Sequence, residues 1–247
     1  MSGLDPTQTQ SGRVYTWGDE SFFSVTTILN ALNKPALPRW AANSVAEYVF
    51  DQWPFIVDMM HSDRKDELMG ILKGAPWRVK EKAANLGTMV HEAVEAYVMG
   101  ARLPDEITDK HIIQFERWLD AFKPHFLESE CTIFNRRFNY AGTLDIVAEI
   151  DGNIWCIDVK SGKGVYPEYA MQVAAYAHGE FIGRQDGNEE GLPTVTKGGI
   201  LHLRPQSYKF IPCDISDPVF KSFLHCRELF RFTEEIAPHV LYGEVRR

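Results

Sequence analysis

The stretch at residues 142–162, GTLDIVAEIDGNIWCIDVKSG, constrains the fold more than any other part of the sequence. Its Asp151-Gly152 dipeptide lies between two apolar runs, which is the pattern of a β-hairpin with a two-residue turn. If that dipeptide is the turn, the residues on either side of it pair, and paired residue numbers add up to 303. Asp145 then lies opposite Asp158. Like charges opposite each other destabilise a sheet, so either a positive group lies between the two carboxylates or this register is wrong.

The rest of the sequence predicts mostly helices first and a sheet afterwards. Apolar residues recur at helical spacing in the first half, and strand-like alternation follows. The predicted helices cover 24–32, 38–50, 62–72, 75–100, 108–122, 166–183 and 217–236. The predicted strands cover 131–140, the hairpin 142–160, 198–205 and 207–215, and a surface loop covers 186–194. This order indicates an α/β domain in which helices flank a central mixed β-sheet.

Length, hydropathy and charge set limits on the class of protein. The 247 residues can bury a sizeable core, and we expect a disordered tail over 1–12 and a single domain over 13–247. Its helical N-terminal part should reach about 126, and a sheet-containing core should follow from about 127. No apolar run has the length of a membrane span, and the polar N-terminus has no secretion signal, so we expect a cytoplasmic protein without a membrane partner. The net charge of −8 argues against a surface coated in positive charge, but it allows a local basic groove.

The hairpin carries a group of side chains suited to metal chemistry. Asp158 and Lys160 are two residues apart on one strand, so both side chains leave the same face, where Asp145 joins them. Two carboxylates there would bind a hard divalent cation such as Mg²⁺ or Mn²⁺, which would remove their repulsion. Lys160 could then activate a water or stabilise negative charge that develops on a phosphate. The alternative is a solvated surface pair, but the apolar residues around it indicate a covered strand, in which unpaired charges are costly.

Four short motifs surround and include this hairpin in a fixed order. They are GTMVHEAVEAYVMG (87–100), GTLDIV (142–147), IDVKSG (157–162) and MQVAAY (171–176). Together they resemble the RecB-like branch of the PD-(D/E)XK nuclease superfamily, whose motifs are G-x-x-x-H, G-x-x-D, D/E-x-K and Q-x-x-x-Y. The resemblance implies a restriction-endonuclease-like core with a helical N-terminal extension, and a phage-type exonuclease.

The resemblance also implies roles for individual residues. It gives the metal ion four ligands, which are His91, Asp145, Asp158 and the main-chain carbonyl of Val159. Lys160 would be the catalytic lysine. Gln172 and Tyr176 are one helical turn apart, where they would contact the DNA backbone or brace the lysine. An ordinary structural role in their helices remains the alternative for His91, Gln172 and Tyr176.

Basic and aromatic side chains indicate where a polyanion could bind. Arg78 and Lys82 are one turn apart on the helix that leads to His91, and further basic residues come from or near the sheet. These further residues are Arg136, Arg137, Lys163 and Arg204. Tyr166 is a candidate for stacking on unpaired bases, as are Trp40 and Trp77. No motif that reads bases is visible, so we expect little sequence specificity. The resemblance implies binding at DNA ends or single strands.

The cysteines separate this chain from one subgroup of the same branch. CRISPR-associated exonucleases hold an iron–sulfur cluster with one early cysteine and three clustered late ones. The cysteines here are Cys131, Cys156, Cys213 and Cys226, with no CxxC spacing among them. We therefore expect no iron–sulfur cluster, and a zinc site or a disulfide framework is poorly supported.

These expectations combine into one leading function and two alternatives. The leading hypothesis is a metal-dependent DNA nuclease, an exonuclease in phage or prokaryotic DNA recombination or repair. The first alternative is a DNA-end-binding or assembly protein that keeps the fold and has lost turnover, although Lys160 beside paired carboxylates argues against it. The second is a metal enzyme that acts on a small phosphorylated substrate. Digestion polarity, strand preference, DNA against RNA, and homo-oligomer formation stay open.

Overall fold

The computed structural model describes residues 6–9, 12–62, 64–100 and 109–241. Within these residues the strands are β1 (Thr7–Thr9), β2 (Gly12–Trp17), β3 (Glu20–Ser24), β4 (His125–Asn135), β5 (Tyr140–Ile150), β6 (Asn153–Lys160), β7 (Phe181–Gly183), β8 (Glu189–Glu190), β9 (Lys197–Arg204) and β10 (Ser207–Cys213). The α-helices are α1 (Val25–Ile28), α2 (Ala36–Asp51), α3 (Trp53–His61), α4 (Lys65–Val98), α5 (Asp109–Phe122), α6 (Glu168–Ala177) and α7 (Asp217–Arg231). A 3₁₀ turn, Leu29–Ala31, follows α1, and α7 continues into a π-helical turn, Phe232–Ile236.

The chain divides into two compact units. The sheet unit comprises Met1–Leu32 and Val90–Arg247, and the helical unit comprises Asn33–Met89. The single domain over 13–247 stays a prediction, but the part before residue 127 is not wholly helical, because three strands near the N-terminus belong to the sheet. β1 pairs with β2, so residues 7–9 of the expected disordered tail form a strand. Residues 1–5, 10 and 11 of that tail lie outside the described residues.

The sheet unit is built around β5. β4 pairs antiparallel with one edge of β5, while β3 and β6 share its other edge. β3 runs parallel to β5 and pairs only with Tyr140 and Ala141, whereas β6 runs antiparallel and pairs from Ile146 to Ile150. β6 continues into a parallel pairing with β9, and β9 pairs with β10. The predicted central mixed sheet flanked by helices is confirmed.

Helices cover the sheet on both faces. The main apolar core joins Val173 of α6 and Phe223 of α7 to Cys156 and Ile200 of the sheet. Neighbouring residues of a strand point to opposite faces, so Gly199 faces away from this core. Phe210 packs over Gly199, and the aromatic rings of α5 contact Phe210. α5 therefore covers the face opposite to α6 and α7.

Several element boundaries differ from the predicted ones. The predicted helices 62–72 and 75–100 are a single helix, α4, which Gly87 does not interrupt. The predicted helix 166–183 ends at Ala177 and is followed by a strand, and the predicted loop 186–194 contains β8. In the first third, β2 and β3 form a hairpin before α1. Ser24 caps α1, because its Oγ accepts the N–H of Thr27.

The helical unit has a small core of its own. Ile56 and Met59 of α3 pack with Leu68 of α4 in a buried cluster. Phe50, Trp53 and other large apolar side chains of α2 and α3 are exposed. Among the described residues, no helix has the length and the apolar character that a membrane crossing requires.

Candidate metal centre

The predicted hairpin and its register are confirmed. β5 and β6 pair antiparallel from the turn to Ile146 and Ile157 in the register in which paired numbers add up to 303. Asp151 and Gly152 form the turn with φ values of 49° and 72°. Positive φ at both central residues is what a type I′ turn requires, and this turn matches the twist of the flanking strands.

Asp145 lies where the ladder between β5 and β6 ends. Its Oδ2 accepts a hydrogen bond of 2.6 Å from the main-chain N–H of Val159, so a side chain replaces a ladder bond there. On the same edge of β5, β3 leaves after Ala141 and β6 begins to pair at Ile146. We call residues 142–145 of β5 the fork, since neither strand pairs with them in the described part of the chain. The Asp145 carboxylate therefore occupies an opening between two strands of the sheet.

The imidazole of His91 lies beside two carboxylates. Its Nδ1 is 3.3 Å from Oδ1 of Asp145 and 3.5 Å from Oε1 of Glu130. The charge of Asp145 raises the pKa of His91 to about 11, against the opposing effect of burial. Burial alone would raise the pKa of Asp145, but the charges of His91 and Lys160 outweigh it and hold that pKa below its usual value. These side chains therefore form one electrostatic unit.

Asp158 and Lys160 form a second pair beside this unit. Nζ of Lys160 is 2.5 Å from Oδ2 of Asp158, but neither oxygen of Asp158 has a hydrogen bond of good geometry. Asp158 is 1% exposed, and burial raises its pKa to about 6, with the charge of Asp145 acting in the same direction. Nζ of Lys160 also lies 4.9 Å from the centre of the Tyr169 ring. Buried carboxylate oxygens without hydrogen bonds are unusual in folded proteins, and Oδ1 of Asp158 has no partner besides the positive charge that Lys160 brings to Oδ2.

The donor atoms fit a divalent metal ion. One ligand atom each from His91, Glu130 and Asp145 lies within 4.8 Å of the others. Carboxylate oxygens suit Mg²⁺ and Mn²⁺, and an imidazole nitrogen suits transition metals. The sequence predicts Asp145 and Asp158 as the bridging pair, whereas the structure groups Asp145 with His91 and Glu130 and holds Asp158 against a lysine. Metal binding by the Val159 carbonyl stays a prediction.

Gln172 and Tyr176 lie in a buried wall next to the fork. Nε2 of Gln172 donates a 3.0 Å hydrogen bond to Oη of Tyr176, and both side chains are buried. The Tyr176 ring lies against Gly142, where a Cβ would approach Cε1 of the ring to 2.7 Å. The charges of Asp158 and Asp145 add to the effect of burial in raising the pKa of Tyr176. Their burial favours the bracing role over direct contact with DNA.

Tyr166 is connected to Lys160, the candidate catalytic residue, by contacts that both make with Tyr169. Its ring is half exposed and meets the Tyr169 ring edge to face, with 5.7 Å between ring centres. Tyr169 in turn lies beside Lys160. The Tyr166 ring is thus accessible, and it contacts the same tyrosine that lies beside Lys160. This position is compatible with the predicted stacking role.

Arg78 and Lys82 belong to α4 within the helical unit. The Arg78 guanidinium lies 4.8 Å from the centre of the Tyr48 ring and donates a hydrogen bond to the carbonyl of Ile71. Lys82 is exposed. Their contribution to a DNA-binding groove stays a prediction.

Two of the basic residues assigned to the sheet side of that groove have other partners. Arg136 donates to the carboxylates of Glu20 and Glu189 at 2.6–2.8 Å. Arg204 donates to the carbonyls of Ser161 and Gly162, which fixes the loop after β6. The guanidinium of Arg136 therefore already has carboxylate partners, and its binding of backbone phosphates stays a prediction.

Glu130 and Tyr15 are site residues that the sequence did not identify. Glu130 belongs to no motif, and its position opposite Asp145 depends on the register of β4 on β5. Tyr15 of β2 exchanges a 3.1 Å hydrogen bond with Thr143 of the fork. A turn signal at Gly18-Asp19 marks the hairpin that carries Tyr15, but nothing in the local sequence connects that hairpin with β5.

Comparisons with protein-family models and with curated proteins find no match. Among solved structures, the chain is similar to one titled "Crystal structure of SSO0001", with 13% sequence identity and a TM-score of 0.36. The alignment covers 82% of this chain and 88% of that one.

Proposed function

We propose that the protein is a metal-dependent deoxyribonuclease that hydrolyses phosphodiester bonds, acting from DNA ends. One observation carries the proposal: the Asp158–Lys160 pair lies directly beside the His91, Glu130 and Asp145 donor group. Phosphodiester hydrolysis needs positive charge at the phosphate and a group that handles a proton. Both requirements have candidates within this one site.

The residues around the fork divide the chemistry between them. A divalent cation, when bound, supplies positive charge that stabilises the negative charge growing on the phosphate oxygens. His91, Glu130 and Asp145 would hold it, and the Val159 N–H orients the Asp145 carboxylate. The Lys160 ammonium is positioned by Asp158 and by the Tyr169 ring, where it donates hydrogen bonds to the phosphate or to the attacking water.

DNA as the substrate and an end-directed mode are supported by the order of the four motifs and by the accessible ring of Tyr166. An exposed aromatic side chain near the reacting groups suits a base at a strand end or in a single strand. A role in phage or prokaryotic recombination or repair belongs to the same proposal.

The test uses end-labelled linear DNA and closed circular DNA, each incubated with Mg²⁺, Mn²⁺ or a chelator. We expect loss of the linear form only, in the presence of metal only. Lys160→Ala should lower the cleavage rate by about a hundredfold or more, which is typical for a group that stabilises transition-state charge. Lys209→Ala, an exposed lysine on β10, is the matched control and should cleave normally.

The same experiment tests the alternatives. Tight DNA binding without cleavage under every metal condition would identify a DNA-end-binding protein instead. Cleavage of the closed circle as fast as of the linear form would replace the exonuclease with an endonuclease.

A further inference from the structure

We propose that Glu130 is a direct ligand of the cation, so that His91, Glu130 and Asp145 hold it together, an inference that rests on the proposed metal-dependent function. Glu130 lies in β4, outside every motif in the sequence. Neither the paired aspartates of the hairpin nor the four motifs predict it. The inference therefore moves the metal from between the two aspartates toward β4.

The position of Glu130 follows from the registers of two ladders. β4 and β5 pair at Ser129↔Ile146 and at Cys131↔Leu144. Glu130 lies between these pairs and thus opposite Asp145. The ladder of β5 on β6 ends at Ile146↔Ile157, and its register, extended by one residue, places Asp145 level with Asp158. Three carboxylates therefore form a row across three neighbouring strands, and we call Glu130, Asp145 and Asp158 the carboxylate row.

The main chain at Glu130 adopts an unfavourable conformation. Its φ is 46°, in the left-handed region that side chains other than glycine seldom occupy. Such a conformation persists only where the surrounding structure imposes it, and it is frequent at ligand-binding positions. It lets the Glu130 carboxylate lie 3.5 Å from His91 while the strand continues on either side.

Asp158 provides an independent indication that this row holds a ligand. It is 1% exposed; the Lys160 ammonium lies 2.5 Å from its Oδ2, whereas its Oδ1 has no hydrogen-bond partner among the described residues. Formal charges agree with a divalent ion: three carboxylates and the Lys160 ammonium leave two negative charges when the imidazole is neutral, which is its ligating form. Without Glu130 only one negative charge would remain, and the two positive charges of a divalent ion would exceed it.

The competing explanation is that Glu130 only orients His91 through a hydrogen bond. In that case the cation would keep its other ligands, and removal of the Glu130 charge would affect the imidazole alone. A measurement of metal binding that does not depend on DNA cleavage separates the two roles.

The first test measures Mn²⁺ binding to the full chain by electron paramagnetic resonance of free Mn²⁺. We expect Glu130→Gln to weaken binding by more than about 100-fold, because the loss of a partner that only orients a ligand costs about 10–100-fold. The control is Glu149→Gln, an exposed carboxylate on β5, and it should bind like the wild type. A loss of about 100-fold or less assigns Glu130 the orienting role and overturns the proposal, as does a wild type that does not bind Mn²⁺.

The second test uses Glu130→Gly, because glycine accepts the left-handed conformation at no steric cost. In chelator, this variant should melt at a temperature equal to or above that of the wild type. Its melting temperature should not rise when Mn²⁺ is added, whereas that of the wild type should. A full Mn²⁺-induced rise in Glu130→Gly overturns the ligand role. Should the variant not fold, Glu130→Gln decides alone.

Both measurements are independent of nuclease activity. If the wild type binds Mn²⁺ but cuts no DNA, the proposed function fails and the role of Glu130 can still be read from the binding curves. If the wild type cuts DNA and Glu130→Gln binds Mn²⁺ unchanged, only the role of Glu130 fails.

Discussion

The sheet unit carries charged side chains in two places that are organised in opposite ways. The carboxylate row is largely buried, and Asp158 has no hydrogen bond of good geometry. The second place, which we call the edge cluster, lies where β7 and β8 extend the sheet beyond β4. There Arg136 and Arg184 donate hydrogen bonds to four carboxylates, which are Glu20, Glu128, Glu189 and Glu190.

The comparison separates charged side chains that form ordinary surface ion pairs from charged side chains that are buried without full pairing. Exposed ion pairs such as those of Arg136 each contribute about 0–1 kcal/mol. Buried charges without full pairing cost free energy, and they are concentrated at sites where a ligand or a reaction uses them. The edge cluster is thus a set of satisfied surface contacts, and the carboxylate row has the properties of a functional site.

The largest expected effect is that of Asp145→Ala. The variant removes a proposed metal ligand and, under the proposed function, should lower DNA cleavage by about a hundredfold or more. It should also lower the free energy of unfolding by about 1–3 kcal/mol, because the buried N–H of Val159 loses its acceptor. Glu189→Ala in the edge cluster is the counterpart and should leave cleavage unchanged. If both variants cleave alike, the contrast between the two places is wrong.

The second prediction concerns metal removal. Free Mn²⁺ at about 100 times its dissociation constant should stabilise the folded protein by about 2.7 kcal/mol. For a chain of this size that corresponds to a rise in melting temperature of about 5–10 °C, which differential scanning calorimetry measures directly. Asp158→Asn should reduce the rise, and Glu189→Gln should not. A rise that depends equally on both residues would contradict a site confined to the carboxylate row.

The third prediction tests the packing beside the fork. Gly142→Ala would place a Cβ 2.7 Å from the Tyr176 ring, so the ring must move. Such overpacking should cost about 1–3 kcal/mol of unfolding free energy in urea denaturation. Gly191 follows β8, next to the edge cluster, and the carbon that Gly191→Ala adds has no neighbour within 4 Å. It should be close to neutral, and equal costs at both glycines would refute a tightly packed fork.

The smallest effect should come from Glu189 at low pH. Its hydrogen bond from Arg136, with a further one from Trp17, lowers the pKa of Glu189 from 4.5 to about 2. Since the folded-state pKa is the lower one, the contribution to stability is present above pH 4.5 and is lost as the pH falls toward 2. Because the pair is exposed, the loss should be below about 1 kcal/mol. Arg136→Ala should remove this part of the pH dependence, and an unchanged profile would refute the assignment.

The hairpin and its register could be predicted because local signals determine them. Asp151-Gly152 fixes the turn, and alternation with period two then places Asp145 and Asp158 in one row. Glu130 could not be found in this way, because β4 and β5 are joined by a four-residue connection without such a signal. Its φ of 46° also depends on its surroundings rather than on its residue type.

The N-terminal strands were missed for a related reason. The Gly18-Asp19 pair is a turn signal of the same kind, but it is followed within a few residues by the helix that Ser24 caps. The pairing of Phe23 and Ser24 with Tyr140 and Ala141 joins segments more than a hundred residues apart. Local periodicity carries no information about such a contact, so the fork itself was beyond sequence-based prediction.

The fork has a consequence for how firmly Asp145 is held. A strand can slip by one residue when a single neighbour defines its alignment, and every side chain then turns to the other face. β5 is aligned by three neighbours at once, since β3 and β6 meet different parts of one edge and β4 meets the other. Slippage would have to break all three alignments together, so the fold protects the orientation of this carboxylate against the commonest error of β-structure.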